Sequence, residues 1–414
     1  MKTYTTVIIG GGSSGILASI YLNDKNSLLL EKNDIFCKKL LITGGGRCNL
    51  TNNSSFEDYM NNYYNSGKYF RTAFTNFFNK DIIKLLEDNG CKTKIEEDNR
   101  VFPLSDKSQS VQKTLIKLLN ESETNYELNS PVENIEKEKE HFIITYNKQR
   151  IKSKYVILST GGTAYPETGS DGDGFRFAKK LGHNVSDSMG GLSPIEIEEK
   201  WISNLQGISI NVNLELKSNK KSLVKDEGSI IFTHNGISGF PILDNSMLIE
   251  KHLRKDERVV MNLDFCKNYS YDELDQKLIK DFSNNSNKTI KTYIHNFLPK
   301  RMSREFLKHL DIDCDKILNQ ISKKERNKIK ENLKRTSLTV KKVLEDESFV
   351  TNSGINRKEI NPDTFESKVV PSLYITGELI EGCGICGGYN LQQAYSTGVL
   401  AALSINERLK HDSS

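Results

Sequence analysis

Three glycines and one carboxylate near the start of the chain have the types and spacing to hold a dinucleotide. Gly10, Gly12 and Gly15 form G-x-G-x-x-G directly after the apolar run Val7-Ile8-Ile9, and a second run, Leu28-Leu29-Leu30, ends on Glu31. Gly10 permits the tight turn, Gly12 lets backbone approach a pyrophosphate, and Gly15 lets the next helix pack closely on the strand. That helix begins at Ser13 or Ser14, so its unpaired N–H groups and the positive end of its dipole face the phosphates. Glu31, with Lys32 beside it, stands where a carboxylate accepts hydrogen bonds from an adenosine ribose and repels a phosphorylated one.

Further along, four more glycine-bearing segments present side chains to a flat ligand. The loop Thr43-Gly44-Gly45-Gly46-Arg47-Cys48-Asn49 follows the dinucleotide strands and combines a permissive backbone with hydrogen-bonding groups. Tyr155-Val156-Ile157-Leu158 runs into Ser159-Thr160-Gly161-Gly162, and Leu373-Tyr374-Ile375 runs into Thr376-Gly377-Glu378. Gly388-Tyr389-Asn390-Leu391 opens a small-residue helix whose N-terminus would stabilise negative charge on a reduced ring. Cys383 and Cys386 form a single C-x-x-C, with no second pair and no histidine cluster to complete a zinc site, so no metal is expected. Seven cysteines, an odd number, point to thiols rather than a disulfide framework.

These groups require an α/β scaffold to carry them. Continuous apolar runs are the mark of parallel strands buried on both faces, and residues 56 to 92 read as helical, with Tyr59, Tyr63, Tyr64, Phe70, Phe74, Phe77 and Phe78 as packing. Near Ser193-Pro194 the pattern changes to alternating segments such as Ile208–Leu214, then from Tyr271 to a charged helical pattern rich in lysine and arginine. The expected organisation is a discontinuous dinucleotide domain, 1–192 and 346–414, around an insert at 193–345 that is β-rich over 193–270 and helical over 271–345. The 414 residues suffice for two domains, and a net charge of +4 announces no polyanion partner for the chain as a whole. With no charged leader before the first strand and no apolar run long enough to span a bilayer, a cytoplasmic protein is expected.

In order and spacing, VIIGGGSSG with LLLEKN, LLITGGGRCNLTN, GGTAYPETGSDGDGF, FTHNGISG, EINPDTFESK, LYITGE and GGYNLQQA resemble the BaiN-like, or YhiN-like, family of FAD-dependent oxidoreductases. The resemblance implies a glutathione-reductase-like FAD domain, a Rossmann fold in two parts, interrupted by a β-barrel-like and helical insert. It places Gly10, Gly12, Ser14 and Gly15 at the pyrophosphate, Glu31 and Lys32 at the adenosine ribose, and Thr160, Gly161 and Gly162 beside the adenosine half. Gly377 and Glu378 would approach the ribitol and second phosphate, with Gly46, Arg47, Cys48, Asn49, Gly388, Tyr389, Asn390 and Leu391 near the isoalloxazine. Two segments depart from the family pattern: Glu381-Gly382-Cys383 before GGYN, and Ser353-Gly354 where a glycine pair is usual.

No second complete fingerprint marks a nicotinamide domain, so NADH or NADPH is expected to dock transiently. The expected reaction is reduction of a C=C bond conjugated to a carbonyl, which needs a proton donor at the α carbon and a hydrogen-bond donor at the oxygen. Cys48, Cys386 and Tyr389 are the candidate acids, and Arg47 or His234 the candidate carbonyl stabilisers. Two substrates implied by the resemblance suit this chemistry: uridine in large-subunit ribosomal RNA, reduced to dihydrouridine, and an unsaturated keto-steroid or bile acid. The basic segment Lys300 to Lys342 offers contacts to RNA phosphates and tilts the expectation to RNA. A flavin-linked dithiol reductase using Cys383 and Cys386, and a non-enzymatic flavin-binding module, are the other classes open to this sequence.

Overall fold

The computed structural model describes residues 1–64, 66–186 and 190–412, and the chain divides into two compact units, Met1–Gly190 with Phe349–Ser414, and Gly191–Ser348. In the first unit β1 (Lys2–Ile9) is the central strand, and Val7 and Ile8 have no exposed surface. The helix α1 (Ser13–Tyr21) returns the chain to β2 (Ser27–Leu30), which is buried at every position and parallel to β1. Beyond β2 lies β3 (Asn125–Glu127); β4 (Val132–Glu138) and β5 (His141–Tyr146) form an antiparallel meander into β6 (Gln149–Leu158). β6 is long because its first half pairs with β5 while its second half, with β1 on the other side, completes the parallel sheet. Ile9 is registered with both Leu30 and Leu158, so three strands end at one level and release Gly10, Glu31 and Ser159 at the same edge.

The second unit is a closed six-stranded barrel with helices. Its strands are β7 (Ile195–Ile197), β8 (Ser209–Ser218), β9 (Lys221–Phe232), β10 (Gly236–Ser238), β11 (Val259–Asp264) and β12 (Thr336–Val343), in the spatial order β7-β10-β9-β8-β11-β12. Val212, Leu214 and Leu216 point into the barrel while the residues between them are partly exposed, the two-residue period of a half-buried strand. The stretch 193–270 carries five of these strands together with the short helices Phe240–Leu243 and Ser246–Leu253. One expectation needs correction: the stretch 271–345 is not helical throughout, since after α2 (Tyr271–Asn284), α3 (Ile290–Ile294), α4 (Lys300–His309) and α5 (Lys323–Lys334) it ends in β12. There Thr336, Leu338 and Val340 are buried, β-branched or apolar on alternate positions, and the strand closes the barrel between β11 and β7.

The chain then re-enters the first unit. β13 (Leu373–Ile375) adds to the parallel sheet with Ile375 opposite Leu158, so Thr376 and Gly377 emerge at the edge already occupied by Gly10 and Ser159. The last helix, α6 (Tyr389–Asp412), packs along α1 and brings its first turn to that edge.

Candidate dinucleotide site

The common strand edge opens into a cleft that encloses about 1130 Å3 of empty space, part of it continuous with solvent. Its walls are Gly10 to Ser14, Glu31 to Asn33, Cys37 to Leu40, Ser159 to Gly161, and the pairs Gly377-Glu378 and Asn390-Leu391. At Gly15 a Cβ would stand 1.9 Å from the Gly10 carbonyl oxygen, so only glycine allows α1 to start this close to β1. At Gly12 the same construction meets nothing within 4 Å, which leaves the backbone of the helix start open to a ligand.

Glu31 is buried and fixed by the loop it serves. One carboxylate oxygen accepts the Gly11 N–H at 2.6 Å; the other accepts the Asn33 N–H at 2.7 Å and its side-chain NH2 at 2.8 Å. A carboxylate offers about four acceptor positions, so room remains for a ribose hydroxyl. Ser14 donates to Thr376 Oγ1 at 2.8 Å, tying the helix start to the β13 turn. Lys39 and Glu378 form a 2.6 Å ion pair at the cleft wall, and Lys32 pairs with Asp171 and Asp173 at 2.7 and 3.0 Å. The hydroxyl of Thr160 is buried in the lining without a hydrogen-bond partner among the described residues. Buried polar groups are rarely left unpaired, and a bound polar ligand would satisfy this one.

Of the residues expected at the cofactor, Gly10, Gly12, Ser14, Glu31, Lys32, Thr160, Gly161, Gly377, Glu378, Asn390 and Leu391 line the cleft. Gly15 and Gly162 stand behind the lining, Gly162 packed against Thr351. The GGGRCN loop is arranged differently from expectation. Arg47 is turned to Glu96 and Asp106, each 2.5 Å away, and its guanidinium lies over the Phe102 ring, outside the lining of the cleft. Cys48 has no exposed surface and belongs to a core with Cys37, Leu50 and Val101. Gly46 and Asn49 lie outside the lining; the Asn49 amide sits between the Thr51 carbonyl and the Gly388 N–H, 3.2 Å from each.

Gly388 is pressed on the Thr51 backbone, where a Cβ would come within 2.5 Å. Tyr389 is buried against Tyr59 and Tyr63, with its phenol oxygen 2.8 Å from the Asn62 NH2. Cys386 is half-buried in the turn before it, and Cys383 is buried with its sulfur 3.5 Å from Asn352 Oδ1. His234 belongs to the barrel unit, exposed in a depression that includes Glu196 and Lys200. The sequence reading missed Cys37, Lys38 and Lys39, which line the cleft: they fall between two glycine motifs, and no spacing rule marks them. Among the described residues no cluster of acidic, histidine or cysteine side chains is suited to a metal, and no helix is long and apolar enough to cross a membrane.

A parallel sheet with a glycine turn, a helix N-terminus and a buried acid at its carboxyl edge, interrupted by a barrel, defines a Rossmann-type protein with an inserted domain. The chain belongs to the HI0933-like protein Rossmann domain family, which matches residues 4–404. It is 29% identical over 97% of its length to a 3-dehydro-bile acid delta(4,6)-reductase of Clostridium scindens, covering 98% of that protein. It is 27% identical over 99% of its length to a ribosomal RNA dihydrouridine synthase of Haemophilus influenzae, covering all of it (100%). Among solved structures, a 3-ketosteroid delta1-dehydrogenase of Sterolibacterium denitrificans shares the fold with a TM-score of 0.53 at 12% identity, over 99% of this chain and 100% of that one.

Proposed function

We propose that the protein is an FAD-dependent oxidoreductase that saturates a C=C bond conjugated to a carbonyl with hydride from NADH or NADPH, and that its substrate is uridine in large-subunit ribosomal RNA, acted on in the cytoplasm. The observation that carries the dinucleotide part is the cleft, lined by Glu31 and Thr160 and open to backbone approach at Gly12. FAD supplies the redox chemistry when bound. Gly10 to Gly12 and the start of α1 would hold its pyrophosphate, Glu31 its adenosine ribose, and Thr160, Glu378, Asn390 and Leu391 border the rest of the cleft.

The reaction class is supported by what the relatives' names have in common. A delta(4,6)-reductase acting on a 3-dehydro compound and an enzyme that makes dihydrouridine both remove a ring double bond conjugated to a carbonyl. Saturation of that bond also requires a proton on the α carbon. Of the candidate acids Cys48, Cys386 and Tyr389 we favour the last two: Cys386 is half-buried, and the Tyr389 oxygen, though buried, accepts from Asn62 and keeps its own O–H to donate, whereas Cys48 has no exposed surface. A small-molecule enone such as an unsaturated keto-steroid or bile acid is the second reading, favoured by the relative from Clostridium scindens.

Chromatography of the cofactor released on denaturation, followed by anaerobic reduction of the purified protein, tests the proposal. FAD, bleaching by NADH or NADPH, and reoxidation by ribosomal RNA lacking dihydrouridine are the expected results. FMN or no flavin defeats the cofactor assignment. Reoxidation by a conjugated ketone and not by RNA moves the substrate to the second reading.

A further inference from the structure

The cations of the inserted unit fall into two groups that the sequence does not separate. On α5, Arg326 and Lys330 are turned to Asp275 at 3.4 and 3.8 Å, and Lys334 is nearly buried, bonded to Asp264 at 2.6 Å and to the Cys266 and Tyr269 carbonyls. Those charges hold the unit together. On α4 the arrangement is the reverse. Met302, Ser303, Phe306 and Leu307 are buried, while Lys300, Arg304 and Lys308 form an exposed row at i, i+4 and i+8 that spans about 12 Å. Lys300 and Arg304 have no acidic partner among the described residues, and Lys308 meets only Glu305, on its own helix.

The neighbouring row of α4 leans on the turn Lys200–Leu205: Arg301 donates to the Gln206 carbonyl, Glu305 accepts from Asn204, and the His309 ring stacks on Trp201. The rings lie 4.5 Å apart at 16°, and His309 is itself exposed, so its outer face extends the stack to solvent. The Trp201 Nε1 is buried with no partner among the described residues. A row of exposed cations, two of them without an acidic partner among the described residues, beside an exposed aromatic residue combines the two elements that bind single-stranded nucleic acid: charge for the phosphates and a ring for the bases. An acidic peptide would use the cations and leave the stacked face without a task.

We propose that Lys300, Arg304 and Lys308 on α4, with the adjacent Trp201–His309 stack, form the face of the inserted unit that docks a single-stranded segment of ribosomal RNA. This rests on the ribosomal RNA reading above and adds where the RNA is held. The test uses full-length, FAD-loaded protein and a protein-free transcript of large-subunit ribosomal RNA, with affinity measured as a function of KCl. Joint neutralisation by Lys300→Gln, Arg304→Gln and Lys308→Gln is expected to reduce the log–log salt slope by about 2 and the affinity by about 100-fold near ~0.1 M salt. His309→Ala should weaken binding at every salt concentration without changing the slope. Trp201 is the only tryptophan, so RNA should also quench the emission of the wild-type protein. The control Lys323→Gln with Lys324→Gln, on the exposed start of α5, should bind as wild type, and all variants should keep the wild-type melting temperature and reduction of a conjugated ketone.

Wild-type binding with an unchanged slope in the triple variant overturns the docking face and leaves the substrate reading intact. Binding to intact ribosomal particles but not to the transcript gives the face to a protein partner and overturns the proposal. Absence of wild-type binding, together with unchanged dihydrouridine after gene deletion, overturns both.

Discussion

The Cys48 thiol has no exposed surface, and burial pushes its pKa up to about 12 although a hydrogen bond with Thr43 pulls the other way. Both observations weigh against Cys48 as the acid, and neither is legible beforehand, because a cysteine after three glycines looks the same whether it packs or reacts. Cys48→Ala should cost roughly 1 kcal/mol in a denaturant melt and leave turnover within about twofold; a tenfold loss of turnover with intact flavin reduction would restore it as the acid. A second buried group went unread altogether. His183 Nδ1 lies 2.9 Å from Glu359 and its Nε2 2.9 Å from the Ser367 hydroxyl, whose oxygen already accepts the Val369 and Val370 N–H groups. With both lone pairs used, Ser367 can only donate to Nε2, so the imidazole is held neutral. Burial lowers the His183 pKa, against the pull of Glu359. The unfolded chain therefore binds the extra proton first, and the stability this residue contributes is present above about 6.5 and lost as pH falls below it. Thermal melts from pH 7.5 to 5.5 should fall more steeply for the wild type than for His183→Gln; parallel profiles would contradict this.

The strands that line the cleft were legible because their signal is local: short apolar runs ending at Ile9, Leu30, Leu158 and Ile375, each followed within three residues by glycine or acid. β12 was not, because its neighbours in sequence are helical and its partners, β7 and β11, are supplied by the closed barrel. The same holds for α5, whose lysines and arginines look alike until α2 and β11 bring Asp275 and Asp264 against one face. The chemical consequence is that cations on a single helix differ in what their removal costs. Lys334→Ala strands the Asp264 carboxylate and two carbonyls and should destabilise the protein by about 2–3 kcal/mol, whereas Lys324→Ala, exposed and without an acidic partner among the described residues, should stay within ~0.5 kcal/mol. Denaturant unfolding of the two variants measures the difference; equal effects would mean that the α5 contacts do not hold the unit.

For the molecule as a whole, the two-part Rossmann unit, the inserted barrel and the family were readable from the order of the motifs, of which those after Ile9, Leu30, Leu158 and Ile375 mark strand ends gathered at one edge of the first unit. The catalytic acid and the substrate were not, because they depend on side chains that no glycine pattern accompanies. The central claim is that the protein saturates the conjugated double bond of uridine in large-subunit ribosomal RNA. Mass spectrometry of nucleosides from that RNA, in a strain lacking the gene and in the same strain with the gene restored, tests it most directly. Dihydrouridine is expected to disappear on deletion and to return on restoration; dihydrouridine unchanged by deletion would contradict this function.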